Sequence, residues 1–295
     1  MAILIDEPRW PAHGTLWAHV VSDASEAELH AFARAVGLPE RSFDLDHYDV
    51  PAARHAELVA AGALPVDRRS LITRLRASGL RVAAADRADR RRDRLQDEWD
   101  ATLPGGPDIG AELLRRWQEP HRAYHSVAHL RAVLDQLRTL AAAGTPVSRA
   151  VVLAAWFHDA VHDGATPADE DASARLAADL LPAAGVPSSE VAEVARLVRL
   201  TATHTPEPGD DAGAALCDAD LAVLGAPEGV YRRYAAAVRA EYRHLPDDVF
   251  RAGRATVLRR LLDRPALFAT APGRARWEQQ ARANVAAELA ELTGR

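Results

Sequence analysis

The most constraining stretch of the chain is Ala150 to Phe157, an apolar run that ends abruptly in polar chemistry. Its length and composition predict a helix buried on most sides. Trp156-Phe157-His158-Asp159-Ala160-Val161-His162-Asp163 then brings two histidines and two aspartates together where that helix ends. Polar groups at the end of a core helix need partners, because burying an unpaired charge costs on the order of several kcal/mol. Two readings are open from these residues alone. They bind a divalent metal, or they cap the helix where it meets solvent. The rest of the chain has to decide.

Composition limits the chemistry. All 36 Lys+Arg residues are arginine, which excludes a P-loop lysine, a Schiff-base lysine and a pyridoxal-phosphate anchor. The single cysteine, Cys217, rules out intrachain disulfides, Cys-rich zinc sites and iron–sulfur clusters, and its apolar helical surroundings make it a core residue. Any metal must therefore be held by imidazole and carboxylate. A net charge of −6 argues against a dedicated nucleic-acid binder, which needs a basic face. The basic segment Arg87 to Arg94 is interrupted by Asp89 and Asp93 and reads as a solvated connector. No apolar segment approaches the ~20 residues of a membrane span, and no signal peptide is read before Met1-Ala2-Ile3-Leu4, so no membrane association and a cytoplasmic location are expected.

The periodicities predict a mainly α chain, with a small N-terminal α/β domain followed by an all-α domain. Strands are expected at 2–6, near Leu16–Val21 and over Phe43–Val50, with a loop from Pro8 to Gly14. Helices are expected at Glu26–Val36 behind a Ser25 cap, at Ala52–Ala61 and at Asp67–Ser78. The expected domains are 1–82, a linker and first helix over 83–108 (the linker being Ala83 to Arg94), and an all-α domain over 109–295. Helices within the last are predicted at 109–118, 126–143, 148–161, 168–180, 189–204, 214–224, 228–243, 247–263 and 274–292, with Thr166 and Pro167 opening one of them as N-cap and N1.

Within the helical region, His125 and His129 are spaced i, i+4 and share one face of the 126–143 helix, at the edge of an apolar stripe. Ser126 stands where a metalloprotease motif requires Glu, so the proteolytic reading fails. Asp218 and Asp220 interrupt the apolar run Ala214 to Leu224 and cannot share one face; Asp220 is expected to point inward. In the N-terminal domain Asp6, Arg9, His19, Asp23, Asp44, Asp46, His47, Tyr48 and Asp49 either line a second site or cap turns.

The ordered set Tyr124-His125-x-x-x-His129, Phe157-His158-Asp159-x-Val161 and Asp218-x-Asp220-Leu221 resembles the HD-domain metal-dependent phosphohydrolase superfamily, over roughly residues 110–265. The resemblance implies an HD-type helical fold and a divalent metal held by His129, His158, Asp159 and Asp220. His125 would be the proton donor to the leaving oxygen. It also implies catalytic roles for His162, whose place is a histidine in the similar cyclic nucleotide phosphodiesterases, and for Asp163, which either orients water or caps the turn before Gly164. His204 is either a second metal or phosphate ligand or a helix-terminal histidine favoured by the dipole. Arg239 and Arg254 either clamp a phosphate or sit in surface pairs.

Mixed His/Asp ligation suits Mn, Fe, Ni, Co or Zn better than Mg alone. The expected function is hydrolysis of a phosphate ester or nucleotide by a metal-activated water. The alternatives are a non-catalytic nucleotide- or metal-sensing module with the N-terminal domain as output and, well behind, a structural protein whose His and Asp residues only cap helices. A homo-oligomer is compatible with the sequence. The segments Arg9-Trp10-Pro11, Leu16-Trp17-Ala18-His19 and Asp46-His47-Tyr48-Asp49 resemble an uncharacterised bacterial domain family, which assigns no activity.

Overall fold

The computed structural model describes residues 2–12, 14–39 and 42–294; Met1, His13 (inside the predicted Pro8 to Gly14 loop), Glu40, Arg41 and Arg295 lie outside the described residues. The chain divides into two compact units, Met1–Arg94 and Leu95–Arg295. Thirteen α-helices and five strands occur among the described residues, every strand before Val66. A small α/β region followed by an all-helical region is therefore the architecture. Among the described residues no helix is long and apolar enough to cross a membrane.

In the first unit the order is β1 (Ile3–Ile5), β2 (Trp10–Ala12), β3 (Thr15–Ser22), α1 (Glu26–Ala35), β4 (Tyr48–Pro51), α2 (Ala52–Ala60), β5 (Leu64–Pro65) and α3 (Arg68–Ala77). The sheet is organised on β3. Antiparallel β1 and β2 pair with its two ends, and β5 joins β1 in parallel. Val20 pairs with both Ile5 and Tyr48, so β4 takes the opposite edge of β3. Strand alternation sends Ala18 and Val20 to one face, where Leu29, Ala33 and Leu58 cover them. Val21 faces the other way with Leu4, under Leu71 and Leu75 of α3.

Three expectations change in this unit. The loop after Pro8 contains β2, where Pro11 is tolerated because the strand pairs on one side only. The predicted strand Phe43–Val50 is mostly a turn. Asp44 N–H donates to His47 O, Leu45 has φ +66°, and the strand proper starts at Tyr48. The expected linker is helical from Arg87 onward, in α4 (Arg87–Thr102). Its arginines are mostly exposed, as expected of a solvated segment, but they are paired: Arg87 and Arg91 with Asp44, and Arg94 with Glu26. A polar helix that would be marginal alone is held by these pairs.

The second unit contains α5 (Pro107–Trp117), α6 (Val127–Ala142), α7 (Arg149–Phe157), α8 (Ala168–Leu180), α9 (Ser188–Leu200), α10 (Asp211–Leu221), α11 (Glu228–Glu241), α12 (Asp247–Leu262) and α13 (Ala271–Thr293). Helix α7 is central; Val151, Leu153, Trp156 and Phe157 are fully buried, and α6, α8, α9 and α10 pack against it. Ser148 caps its start, accepting from the Val151 N–H. Helix α6 lays Leu130, Val133, Leu134, Leu137 and Leu140 into the same core.

Helix α7 ends at Phe157, four residues before the predicted limit. Side chains take the carbonyls that a further turn would have used. His158 Nδ1 bonds Ala155 O at 2.8 Å, and Arg122 donates to Asp159 O at 2.7 Å and Ala160 O at 3.2 Å. The chain then turns through Gly164, at φ +78°, into α8. That helix runs over the expected residues, Ala168–Leu180, but Pro167 takes the cap position expected of Thr166, whose hydroxyl donates to Glu170 instead.

Candidate metal centre

Four side chains from three segments meet in the helical unit. His129 comes from the first turn of α6, His158 and Asp159 from the end of α7, and Asp220 from the last turn of α10. The early end of α7 matters here. Consecutive residues inside a helix point about 100° apart, whereas past the helix end His158 and Asp159 both reach the cluster.

The two Nε2 atoms lie 3.2 Å apart. Asp220 Oδ1 is 3.0 Å from His129 Nε2 and 3.7 Å from His158 Nε2. Asp159 Oδ2 is 3.2 Å from His158 Nε2 and 3.6 Å from His129 Nε2. The tightest grouping is His129, His158 and Asp220, whose donor atoms all lie within 4.8 Å of one another, and Asp159 adjoins both imidazoles. Ligand bonds of about 2.1 Å set neighbouring donors roughly 3.0–3.4 Å apart in octahedral or tetrahedral arrangements. The donor set and its spacing fit a divalent transition metal.

The electrostatics agree with that fit. Burial alone would push the carboxyls of Asp159 and Asp220 up, but the charge of His158, supplemented by His125 at Asp159 and by the His129, His158 and His204 hydrogen bonds at Asp220, holds both well below the usual carboxylate range. Burial lowers His129 against the pull of Asp220, leaving it neutral near pH 7. His158 is raised despite burial, because Asp159 and Asp220 both face it. Its Nδ1 bond to Ala155 O orients the ring so that Nε2 faces the cluster.

A second group stands beside the first. His125 Nδ1 bonds Glu241 Oε2 at 2.7 Å, the His125 and His162 rings lie 4.0 Å apart, and His162 Nε2 is 3.7 Å from the same Glu241 oxygen. Glu241 Oε1 accepts three successive backbone N–H groups, of Ala123, Tyr124 and His125, at 2.7 to 2.8 Å. Burial would raise its carboxyl, but His125, His162 and the His125 N–H hold it far below the usual range. His125 is raised although burial lowers it, since Asp159 and Glu241 favour its charged form.

Other predicted residues fall on either side of the line. His204 sits past α9 with φ +49°, a conformation that non-glycine residues adopt at a cost, and its Nε2 bonds Asp220 Oδ2 at 2.7 Å. It therefore fixes the second oxygen of Asp220. Asp163 is not brought in: its side chain is exposed, and its N–H donates to Asp169 Oδ2, which organises the turn. Neither predicted arginine is free for a phosphate. Arg239 pairs with Asp247 and bonds the Tyr242 and Leu245 carbonyls, and Arg254 is held by Glu288 and Tyr234. Asp218 is buried and elsewhere, accepting from the N–H groups of Ala269 and Thr270 at the start of α13. A Cβ at Gly273 would stand 2.3 Å from Asp218 Oδ2, which explains the glycine.

Sequence reasoning missed Glu241 and Arg122. The Arg122 side chain is fully buried, and besides the Asp159 and Ala160 carbonyls it bonds His125 O at 3.0 Å and pairs with Glu119. It thereby ties the His125 segment to the His158 segment. A cavity of about 570 Å³ opens beside His129 and Asp220. Its walls include Tyr124, Val133, Val230 and Trp277, with Gln136 and Arg276 as polar groups.

Residues 3–78 match the model of a family described as "Protein of unknown function (DUF4031)". No curated protein matches the chain, and no solved structure does.

Proposed function

We propose that the helical unit is a metal-dependent phosphohydrolase of the HD type, acting on a small phosphate ester or nucleotide. The observation that carries this reading is that the His129 and His158 Nε2 atoms lie 3.2 Å apart, with one oxygen each of Asp159 and Asp220 at 3.0 to 3.7 Å from both of them. These four residues would hold the ion. A divalent metal there supplies Lewis acidity toward phosphoryl oxygens and lowers the pKa of water from 15.7 toward about 7.

The chain's own groups do the rest. His125, anchored through Nδ1 to Glu241, keeps Nε2 as the nitrogen that carries a proton to the departing oxygen. General-acid help of this kind is worth on the order of 10²–10⁴ in rate. Glu241 acts through His125 as a positioning residue, and His204 does the same for Asp220. The cavity's apolar walls suit the organic part of the substrate. Arg276, which makes no ion pair among the described residues, is the cation on that wall in place of Arg239 and Arg254.

The test is hydrolysis of an aryl phosphate and a panel of nucleotides by full-length protein, before chelation, after chelation and after metal return. The reading expects Asp159→Ala to lose both bound metal and turnover. Retention of both by that variant would end it.

A further inference from the structure

We propose that His19, His47 and Asp49 form a second divalent transition-metal site, in the N-terminal unit and independent of the helical one. Strand register creates it. His19 on β3 and Asp49 on β4 are direct cross-strand partners, so their side chains share a face. His47 arrives just before β4, with its ring 4.8 Å from that of His19.

Each imidazole is fixed from behind by a buried carboxylate. His19 Nδ1 bonds Asp6 Oδ2 at 3.0 Å, and His47 Nδ1 bonds Asp46 Oδ1 at 2.7 Å. Asp6 and Asp46 are only 3% and 4% exposed. Their other oxygens are already committed: Asp6 Oδ1 accepts the His19 N–H, and Asp46 Oδ2 accepts from the Val82 N–H and Arg81. With Nδ1 turned to the carboxylate behind it, each ring directs Nε2 to the opposite side; on His47, which Asp46 and Asp49 raise to about 9 although burial lowers it, a metal takes the place of the Nε2 proton. Carboxylate–imidazole pairs of this kind orient histidines toward metals.

Both Nε2 atoms are near one oxygen, Asp49 Oδ1, at 3.8 Å from His19 and 3.5 Å from His47. Those separations exceed the range of an ordinary hydrogen bond, roughly 2.7–3.2 Å. They sit close to the edge of a tetrahedron with ligand bonds of about 2.1 Å, roughly 3.4 Å. All three donor atoms lie within 4.8 Å of one another. Two imidazoles and one carboxylate select Zn, Co, Fe or Mn over Ca and Mg. Three protein ligands leave positions open, and His19 and His47 line a cavity of about 200 Å³. Arg68, stacked on Trp10 at 4.6 Å, forms part of that wall and makes no ion pair among the described residues.

The experiment is metal stoichiometry in full-length Asp220→Ala protein, so that comparisons are made with the carboxylate of the tightest helical grouping removed. The protein is stripped with chelator and dialysed to equilibrium against Zn(II) or Co(II). Adding Asp49→Asn or His47→Gln to this parent is expected to remove one equivalent of metal and the corresponding Co(II) visible absorption. Asp49 is 43% exposed, so its change leaves the core intact, and circular dichroism checks this. A second readout needs no variant of the site: Zn(II) alone slows carbethoxylation of His19 in the parent. Equal metal in the parent and both variants, or no protection of His19, overturns the proposal whatever the helical unit does.

Discussion

Glu241→Gln isolates the group that sequence reasoning missed. The substitution preserves shape and removes the charge. In the native chain the carboxylate accepts three backbone N–H bonds and one from His125 Nδ1. Hydrogen bonds to a charged group contribute about 1.5–3 kcal/mol and neutral ones about 0.5–1.5. Reducing four of them costs the helical unit about 5 kcal/mol. For a unit of this size each kcal/mol is worth roughly 2–4 °C, so Tm falls by about 15 °C.

The pH dependence has a definite sign. Glu241 is depressed in the folded state, so its contribution is complete above the unfolded carboxylate value, about 4.3, and fades as pH falls below that. His125 is raised, so its share is complete below about 6.5 and is lost as pH rises through the folded value. Urea unfolding of wild type and variant should therefore differ most between about pH 5 and 6.5 and converge toward pH 3. In the hydrolysis assay kcat should fall with little change in KM. Loss of the neighbouring charge should also move the alkaline limb of the rate profile to lower pH. Equal urea midpoints at pH 6 would refute the reasoning, because the four bonds would then contribute nothing through the charge.

Two further outcomes follow from the structure. Arg122→Ala leaves three backbone carbonyls and Glu119 without their buried donor, so a loss of about 3–5 kcal/mol is expected by chemical denaturation, together with weaker metal retention. Asp46 is pulled down to about 2, despite burial, by His47, the Val82 N–H and Arg81, so it stabilises the N-terminal unit by about 2 kcal/mol above pH 4. That stabilisation should disappear between about pH 4 and 2 in the wild type, and Asp46→Asn should lack it at pH 7 as measured by urea unfolding.

Much of the candidate site was legible because helical spacing carries geometry. His129 lies one turn before Val133 on a buried stripe, and His158 closes an apolar run, so both had to face the interior. Asp220 was separable from Asp218 only by choosing which points toward the cluster; both are inward, and Asp218 holds the segment that leads into α13. Glu241 was not legible. A glutamate at the end of an amphipathic helix has the same local pattern whether it faces solvent or a histidine more than a hundred residues away. Arg239 and Arg254 show the reverse: the pairing partner decides what an arginine does, and Asp247 and Glu288 claim both. The helical start at Arg87 was hidden for the same reason, since its support comes from Asp44 and Glu26 and not from its own apolar pattern. Helix α7 was drawn too long because side chains, not the backbone, satisfy its last carbonyls.

The central claim is that His129, His158, Asp159 and Asp220 hold one catalytic divalent ion. The most direct measurement is bound metal per chain in full-length Asp49→Asn protein and in the same protein carrying Asp220→Asn. The account predicts one equivalent of Mn, Fe, Co, Ni or Zn in the first, and its loss together with phosphate-ester hydrolysis in the second. Metal and turnover unaffected by Asp220→Asn, or a first protein that binds no metal at all, would contradict it.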